Sequence, residues 1–309
     1  MMRAILFDWM MEVCSEFTLK RETFHLAMYY VDRGLSRMRD ISKANFQLLG
    51  LASMCIASKN EEIYNPRIKD WARSADNGYT CAEIKRMERQ LLRSLDWKIF
   101  PSTPYAWLNW LMSLWDSFVE FHFSCVPFNK PSDFDGLSDL DEEKKAFEKR
   151  FIVFKYPNKQ AYRRFRETMQ ILDIGMMDPI AASISPKELA CGLLYLMVSK
   201  YCYKTDYALL YYDGPDDDNC QGDTVQSAAV LQELYAGFAK EAAGVNGIRE
   251  IFEAVKLFHQ YLDICVVYDL PIVCSVESKK KIESHYHEFL AYQTHNQHNL
   301  EFLHSRQIV

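Results

Sequence analysis

Apolar residues recur along most of the chain with the period of an α-helix. From the start they fall at Met2, Ile5, Leu6 and Trp9, an i, i+3, i+4, i+7 stripe, with a second stripe at Met10, Val13, Cys14 and Phe17 beside it. A helix apolar on two faces has either two surfaces to cover, or one to cover and one to offer. Arg21 to Leu35 repeats the pattern through Phe24, Leu26, Ala27, Tyr30 and Val31, and stops near Gly34. Ala44 to Ala57 is apolar almost all round, with Gly50, Ala52, Ser53 and Ala57 small enough for neighbours to approach, which predicts a helix at the centre of a bundle. Pro66 ends that unit. Thr80 with Glu83 three residues on has the form of a capping box ahead of a helix over 82–95. Pro101 and Pro104 bracket a boundary before the next helical run, which begins Trp107, Leu108, Leu111 and Leu114.

The second half echoes the first. Residues 186–202 repeat the all-apolar pattern of 45–61, and each ends in Ser-Lys, at Ser58-Lys59 and Ser199-Lys200. Helical signals at 103–120, 158–173, 185–202, 224–242 and 248–268 match the five of the first half. Strand alternation is nearly absent. The class is therefore all-α, two tandem five-helix repeats, with domains at 1–102 and 103–270 and a helical tail at 271–309. Two stretches interrupt the pattern, near 121–157 and 204–223, and both read as surface insertions.

Composition narrows the function. The 309 residues are 49% hydrophobic and 25% charged with a formal net charge of -6, so there is core enough to fold and no general drive towards nucleic acid or anionic lipid. The longest apolar run, Leu189 to Val198, is about half what a bilayer requires. Arg3, Asp8 and Glu12 inside the first apolar stretch argue against a signal peptide. Nine widely spaced cysteines without a C-x-x-C read as buried thiols in a reducing, intracellular compartment. Catalytic signatures are missing: no glycine-rich phosphate loop, nucleophile elbow or zinc-protease motif occurs. Asp133-Phe134-Asp135-Gly136 has the wrong order for a magnesium-binding D-F-G. The loop from Asp217 lacks the closing glutamate of a calcium site, Ala228 standing there. His285, His287, His295 and His298 read as surface histidines, and Lys279 to Lys281 as too short for nucleic-acid binding. No metal, cofactor, nucleic-acid or membrane partner is expected.

One constellation is specific. Met2-Arg3-Ala4-Ile5-Leu6-Phe7-Asp8-Trp9 resembles the M-R-A-I-L-x-D-W opening of the cyclin box. Ala57-Ser58-Lys59-Asn60-Glu61-Glu62-Ile63-Tyr64-Asn65-Pro66 resembles the A-[SA]-K-x-E-E-I-Y-P-P that follows it, and Met87-Glu88 the family's M-E-x-x-[IL] segment. Arg21 to Phe24 and Tyr30 to Arg33 also fit. The likeness is dense over 2–112, returns weakly around 163–202, and is strongest to the E-type branch, with the A-type next.

The resemblance implies a non-catalytic regulatory subunit that binds and activates a cyclin-dependent serine/threonine kinase at the G1/S transition. Lys59 and Glu88, with Glu61 and Glu62, would face the kinase. Met2, Ile5, Leu6, Trp9, Glu12, Phe46, Gln47 and Asp76 would form a groove for R-x-L substrates and inhibitor proteins. Arg3 and Asp32 would form a structural ion pair between the first two helices. The family also implies nuclear residence with some cytoplasmic, and a helix ahead of the box, so that this sequence reads as truncated at its N-terminus. Asn60 stands where the family has a large apolar residue, Phe46 where the groove has leucine, and Asn65 for the first proline of the Pro-Pro pair. Two other readings use the same fold: a docking adaptor without kinase activation, and a cyclin-like transcription factor.

Overall fold

The computed structural model describes residues 2–38, 41–125, 151–154, 159–203 and 222–268. Among them the structure is all-helical: α1 (Met2–Glu16), α2 (Arg21–Arg37), α3 (Phe46–Glu61), α4 (Ile68–Ser74), α5 (Cys81–Ser94), α6 (Pro104–Cys125), α7 (Lys159–Met177), α8 (Pro186–Tyr203), α9 (Gly222–Ala243) and α10 (Phe252–Tyr268). Among the described residues each helix read from the sequence is present, and α4 is added to them, its seven residues carrying too few turns for a period to show.

The chain divides into two compact units. The first holds residues up to Trp107 together with 170–186 and the described residues from 261; the second holds 108–169 and 187–260. The division falls five residues beyond the expected boundary at 102, and 170–186 packs with the first unit.

In the first unit α3 is the hub. Every residue from Leu48 to Ser58 is buried, so this helix is covered on all sides. Small residues make that possible. A Cβ on Gly50 would stand 2.8 Å from Leu6 Cδ1 and 3.3 Å from Met10 Sδ, so α1 lies directly against α3. α5 is amphipathic, burying Ile84, Met87 and Leu91. It starts at the predicted capping box: Glu83 N donates to Thr80 Oγ1 at 3.3 Å, and Thr80 N to Glu83 Oε2 at 2.8 Å. α4 opens with half of that arrangement, Arg67 N donating to Asp70 Oδ2 at 3.1 Å, and its Trp71 meets Phe17 edge-on at 5.0 Å.

In the second unit α8 plays the central part. A Cβ on Gly192 would lie 2.5 Å from Ala254 Cβ and 2.9 Å from Val255 N, so α10 touches the bare backbone there. Trp115 anchors an aromatic cluster with Phe238 at 5.1 Å and Tyr235 at 5.6 Å. Lys200 pairs with Glu167, so the second Ser-Lys also ends on a carboxylate.

One expectation is corrected. The end of the 121–157 stretch is not surface: Phe151, Val153 and Phe154 are buried. The buried Asp116 carboxylate accepts from Val153 N and Phe154 N at 2.7 Å each, and Trp115 Nε1 donates to the Phe151 carbonyl at 2.9 Å. These bonds satisfy backbone groups that would otherwise be costly to bury. α6 also runs to Cys125, past the expected end at 120. The Asp133 motif, the Asp217 loop, the lysine run, the histidine-rich segment and the tail at 271–309 lie outside the described residues.

Candidate functional site

Lys59 ends α3 and Glu88 lies midway along α5, and their side chains form an ion pair. The Lys59 side chain is 47% exposed and that of Glu88 12%, so the carboxylate is seated and the ammonium reaches outward. Burial opposes the Lys59 charge, but Glu88 and the Cys55 thiol outweigh it and the lysine pKa lies above its ordinary value. Burial likewise pushes Cys55 up to about 11, keeping it a neutral thiol beside the pair.

The chain after Lys59 is held tightly. Asn60 Nδ2 donates to the Ile99 carbonyl at 3.4 Å, which Tyr30 Oη also reaches at 2.5 Å. Asn65 Oδ1 accepts from Ser58 Oγ at 2.6 Å, so Asn60 and Asn65, two of the three departures from the family pattern, make internal bonds. Glu62 turns inward: its Oε1 accepts from Lys20 N at 2.7 Å and Thr23 Oγ1 at 2.5 Å, where α2 begins. Lys20 Nζ donates to the Glu61 carbonyl at 2.7 Å. Glu62 therefore fastens the end of α3 to the start of α2.

Around this frame stand large apolar side chains without cover. Ile63 is 85% exposed, Tyr64 91% and Phe100 80%. Trp97 is 67% exposed and sits at φ 59°, a left-handed conformation that a bulky residue adopts only under constraint. Periodicity missed Trp97 and Phe100 because they follow the last turn of α5, where no period operates.

Arg3 and Asp32 pair as expected. Arg3 Nε and Nη2 donate to the two carboxylate oxygens at 2.7 Å each. Arg3 does more than the sequence indicated. Its Nη1 donates to the carbonyls of Met176, Met177 and Asp178 at 2.8, 2.9 and 3.0 Å, and its guanidinium lies 4.4 Å from the Phe7 ring centroid. A cation at the C-terminal end of α7 also suits the helix dipole.

The α1 stripe divides by depth. Met2 and Ile5 are exposed, Trp9 and Glu12 half-buried, and Leu6 is buried against Gly50. Gln47 lies one turn before Gly50 on α3, half-buried like Phe46. Asp76 is exposed at φ 50° in the turn after α4. Among the described residues no group of His, Cys, Asp and Glu stands ready to hold a metal, and no helix is long and apolar enough to cross a membrane.

A buried central helix inside an all-helical unit, ending in a seated lysine–glutamate pair, is a frame for presenting surface, and comparison gives that frame a class. The described fold matches the X-ray structure of a viral cyclin from herpesvirus saimiri with a TM-score of 0.52, at 15% identity and over 84% of each chain, so the fold is the cyclin fold. Residues 1–100 match the family described as the cyclin N-terminal domain. Among curated relatives it is 36% identical to the G1/S-specific cyclin-E of Drosophila melanogaster, over 62% of this chain and 25% of that protein. It is 42% identical to G1/S-specific cyclin-E1 of Danio rerio over 37% of this chain and 28% of that one. To the G1/S-specific cyclin-E of Caenorhabditis elegans it is 46% identical, over 36% and 22%. The chain spans about a quarter of the length of these relatives.

Proposed function

We propose that this protein is a non-catalytic regulatory subunit of a cyclin-dependent kinase, acting at the G1/S transition. The observation that carries the reading is the half-exposed Lys59, seated on Glu88 at the end of α3, with exposed Ile63 and Tyr64 next along the chain and exposed Phe100 beside Ile99, whose carbonyl Asn60 reaches. Exposed large apolar side chains beside a pre-positioned charge are what a protein interface needs, since burying the former supplies affinity and the latter sets register. Glu61 lies at the same end of α3, and Glu62 acts as the positioning residue that fixes it to α2. To move a kinase almost fully from inactive to active, the subunit must prefer the active conformer by about 5 kcal/mol.

The same reading gives residues 1–102 the kinase-binding role and the α1 face a recruiting one. Met2, Ile5 and Trp9 supply an apolar surface over buried Leu6, while Glu12 and Asp76 supply carboxylates for the arginine of an R-x-L peptide and Gln47, beside Phe46, an amide for its backbone. Family likeness also supports nuclear residence, with some cytoplasmic.

The test is histone phosphorylation by a purified cyclin-dependent kinase with and without this protein. Stimulation is expected, and Lys59→Ala combined with Glu88→Ala should remove most of it while leaving the circular dichroism spectrum unchanged. A kinase indifferent to the wild-type protein, or stimulated equally by the double variant, refutes the proposal. In the first case an R-x-L peptide that still bound through Met2, Ile5 and Trp9 would make the protein a docking adaptor.

A further inference from the structure

A second surface lies on α5, away from the lysine–glutamate pair. An open cleft of about 500 Å³ runs between the end of α2, the start of α3 and the outer side of α5. Met38, Ile41, Leu48 and Met87 form its apolar floor, and Arg86, Gln90 and Arg93 stand along one rim. At about 100° per residue, Arg86, Gln90 and Arg93 fall within about 60° of each other around α5, while Glu88 lies about 140–160° away. The cleft therefore opens on the flank of α5 opposite to Glu88.

Its charge is distinctive. In a chain of net charge -6, the exposed residues of α5 include Lys85, Arg86, Arg89 and Arg93. The carboxylates that flank this stretch in the chain, Glu83 and Asp96, have partners of their own. Glu83 attracts Arg86 but is held by Thr80 through its backbone N and hydroxyl at 2.8 and 2.7 Å. Asp96 accepts from Arg37 Nη1 at 2.7 Å. Arg39 and Asp40, the two residues between Met38 and Ile41, cancel in formal charge and lie outside the described set. An apolar floor thus sits beside two arginines that keep most of their charge for a ligand.

We propose that this cleft is a docking site for an acidic segment of a partner protein, in which a large apolar side chain enters the floor and flanking carboxylates pair with Arg86 and Arg93. Seven residues of helix separate the two arginines by about 10 Å. That is the span of about three residues of an extended chain, so carboxylates three apart with the apolar residue between them match the rim. Arginine forks hold carboxylates in two-point contacts, which ties the charge to one orientation of the peptide. The site uses neither Lys59 nor the α1 face and does not depend on kinase binding.

The probe is a fluorescein-labelled hexapeptide, Asp-Glu-Leu-Phe-Asp-Glu, titrated with the full chain and read by fluorescence anisotropy. Saturable binding with Kd on the order of 10–100 μM is expected, weakening as salt rises. Arg86→Glu with Arg93→Glu should weaken it at least tenfold; both side chains are exposed, and circular dichroism checks that the fold is kept. Gln90→Trp, which crowds the mouth without changing charge, should weaken it at least fivefold. Replacing Leu and Phe of the peptide by Ala should cost at least tenfold. Absence of binding, or a double variant within twofold of wild type, overturns the proposal. Equal binding of the alanine peptide overturns it too, as does displacement by single-stranded DNA of equal charge at equal concentration, because the surface would then answer to charge alone.

Discussion

The Arg3–Asp32 pair fixes α1, the helix that carries the proposed recruiting face, and its worth follows from its surroundings. Breaking a buried ion pair by removing one partner costs about 3–5 kcal/mol, whereas an exposed pair is worth under about 1 kcal/mol. Arg3 and Asp32 keep 12% and 21% of their side-chain exposure, which places the pair nearer the buried case. In Asp32→Ala the guanidinium loses two bonds of 2.7 Å but keeps its three carbonyl acceptors, so the cost should be about 2–3 kcal/mol. Arg3→Ala should cost more, about 3–4 kcal/mol, because it strands the carboxylate and also leaves the Met176, Met177 and Asp178 carbonyls without their donor. The assay is urea unfolding of both single variants and the double variant, with hydrogen exchange of α1 peptides locating the loosened region. A coupling of at least about 1.5 kcal/mol is expected from the cycle. A coupling below about 0.5 kcal/mol, or equal losses for the two single variants, would refute the reasoning.

Two further perturbations separate other contributions. Gly192→Ala gains about 1 kcal/mol of helix propensity but drives a methyl into Ala254 and the Val255 backbone, so it should be net destabilising by about 1–3 kcal/mol. Gly50→Ala meets chiefly the movable end of Leu6 and should stay within about 1 kcal/mol of wild type, and a Gly192→Ala chain as stable as wild type in urea would contradict the close α8–α10 contact. Burial holds the Glu22 carboxyl above its ordinary 4.5, against the pull of the Thr103 hydroxyl, which donates to it at 2.6 Å, and of His25. The folded state then binds the extra proton, so stability should fall as pH rises from 4.5 through the folded value, and Glu22→Gln should flatten that slope. Parallel stability curves for wild type and Glu22→Gln across that window would rule the effect out.

Much of the fold was legible because its signals are local. Each long helix announces itself by a period of 3.6 residues, and the Thr80–Glu83 box marks a helix start within four residues of chain. The short α4 fell below that threshold. The buried strip Phe151 to Phe154 sits inside a charged stretch, and only its bonds to Asp116 and Trp115 reveal it as core. Lys59, Glu88, Arg3 and Asp32 were found through likeness to a family, not through periodicity, which would have assigned the α1 stripe wholly to the core. The structure splits that stripe into buried Leu6 and exposed Met2 and Ile5. It also shows Glu62 accepting from the start of α2, a bond that no local pattern announces.

By itself the sequence determined the long helices, the all-apolar character of 45–61 and 186–202, and the motifs by which residues 2–112 resemble a cyclin box. Tertiary structure decided which of those side chains are free to act. Arg3 reaches carbonyls more than 170 residues away, and Lys59 and Asn60 find their partners at Glu88 on α5 and at Ile99, 29 and 39 residues along the chain. The cleft on α5 is assembled from three helices whose spacing no local pattern encodes. Periodicity reports what one element buries, whereas exposure and charge depend on what the rest of the chain folds against it.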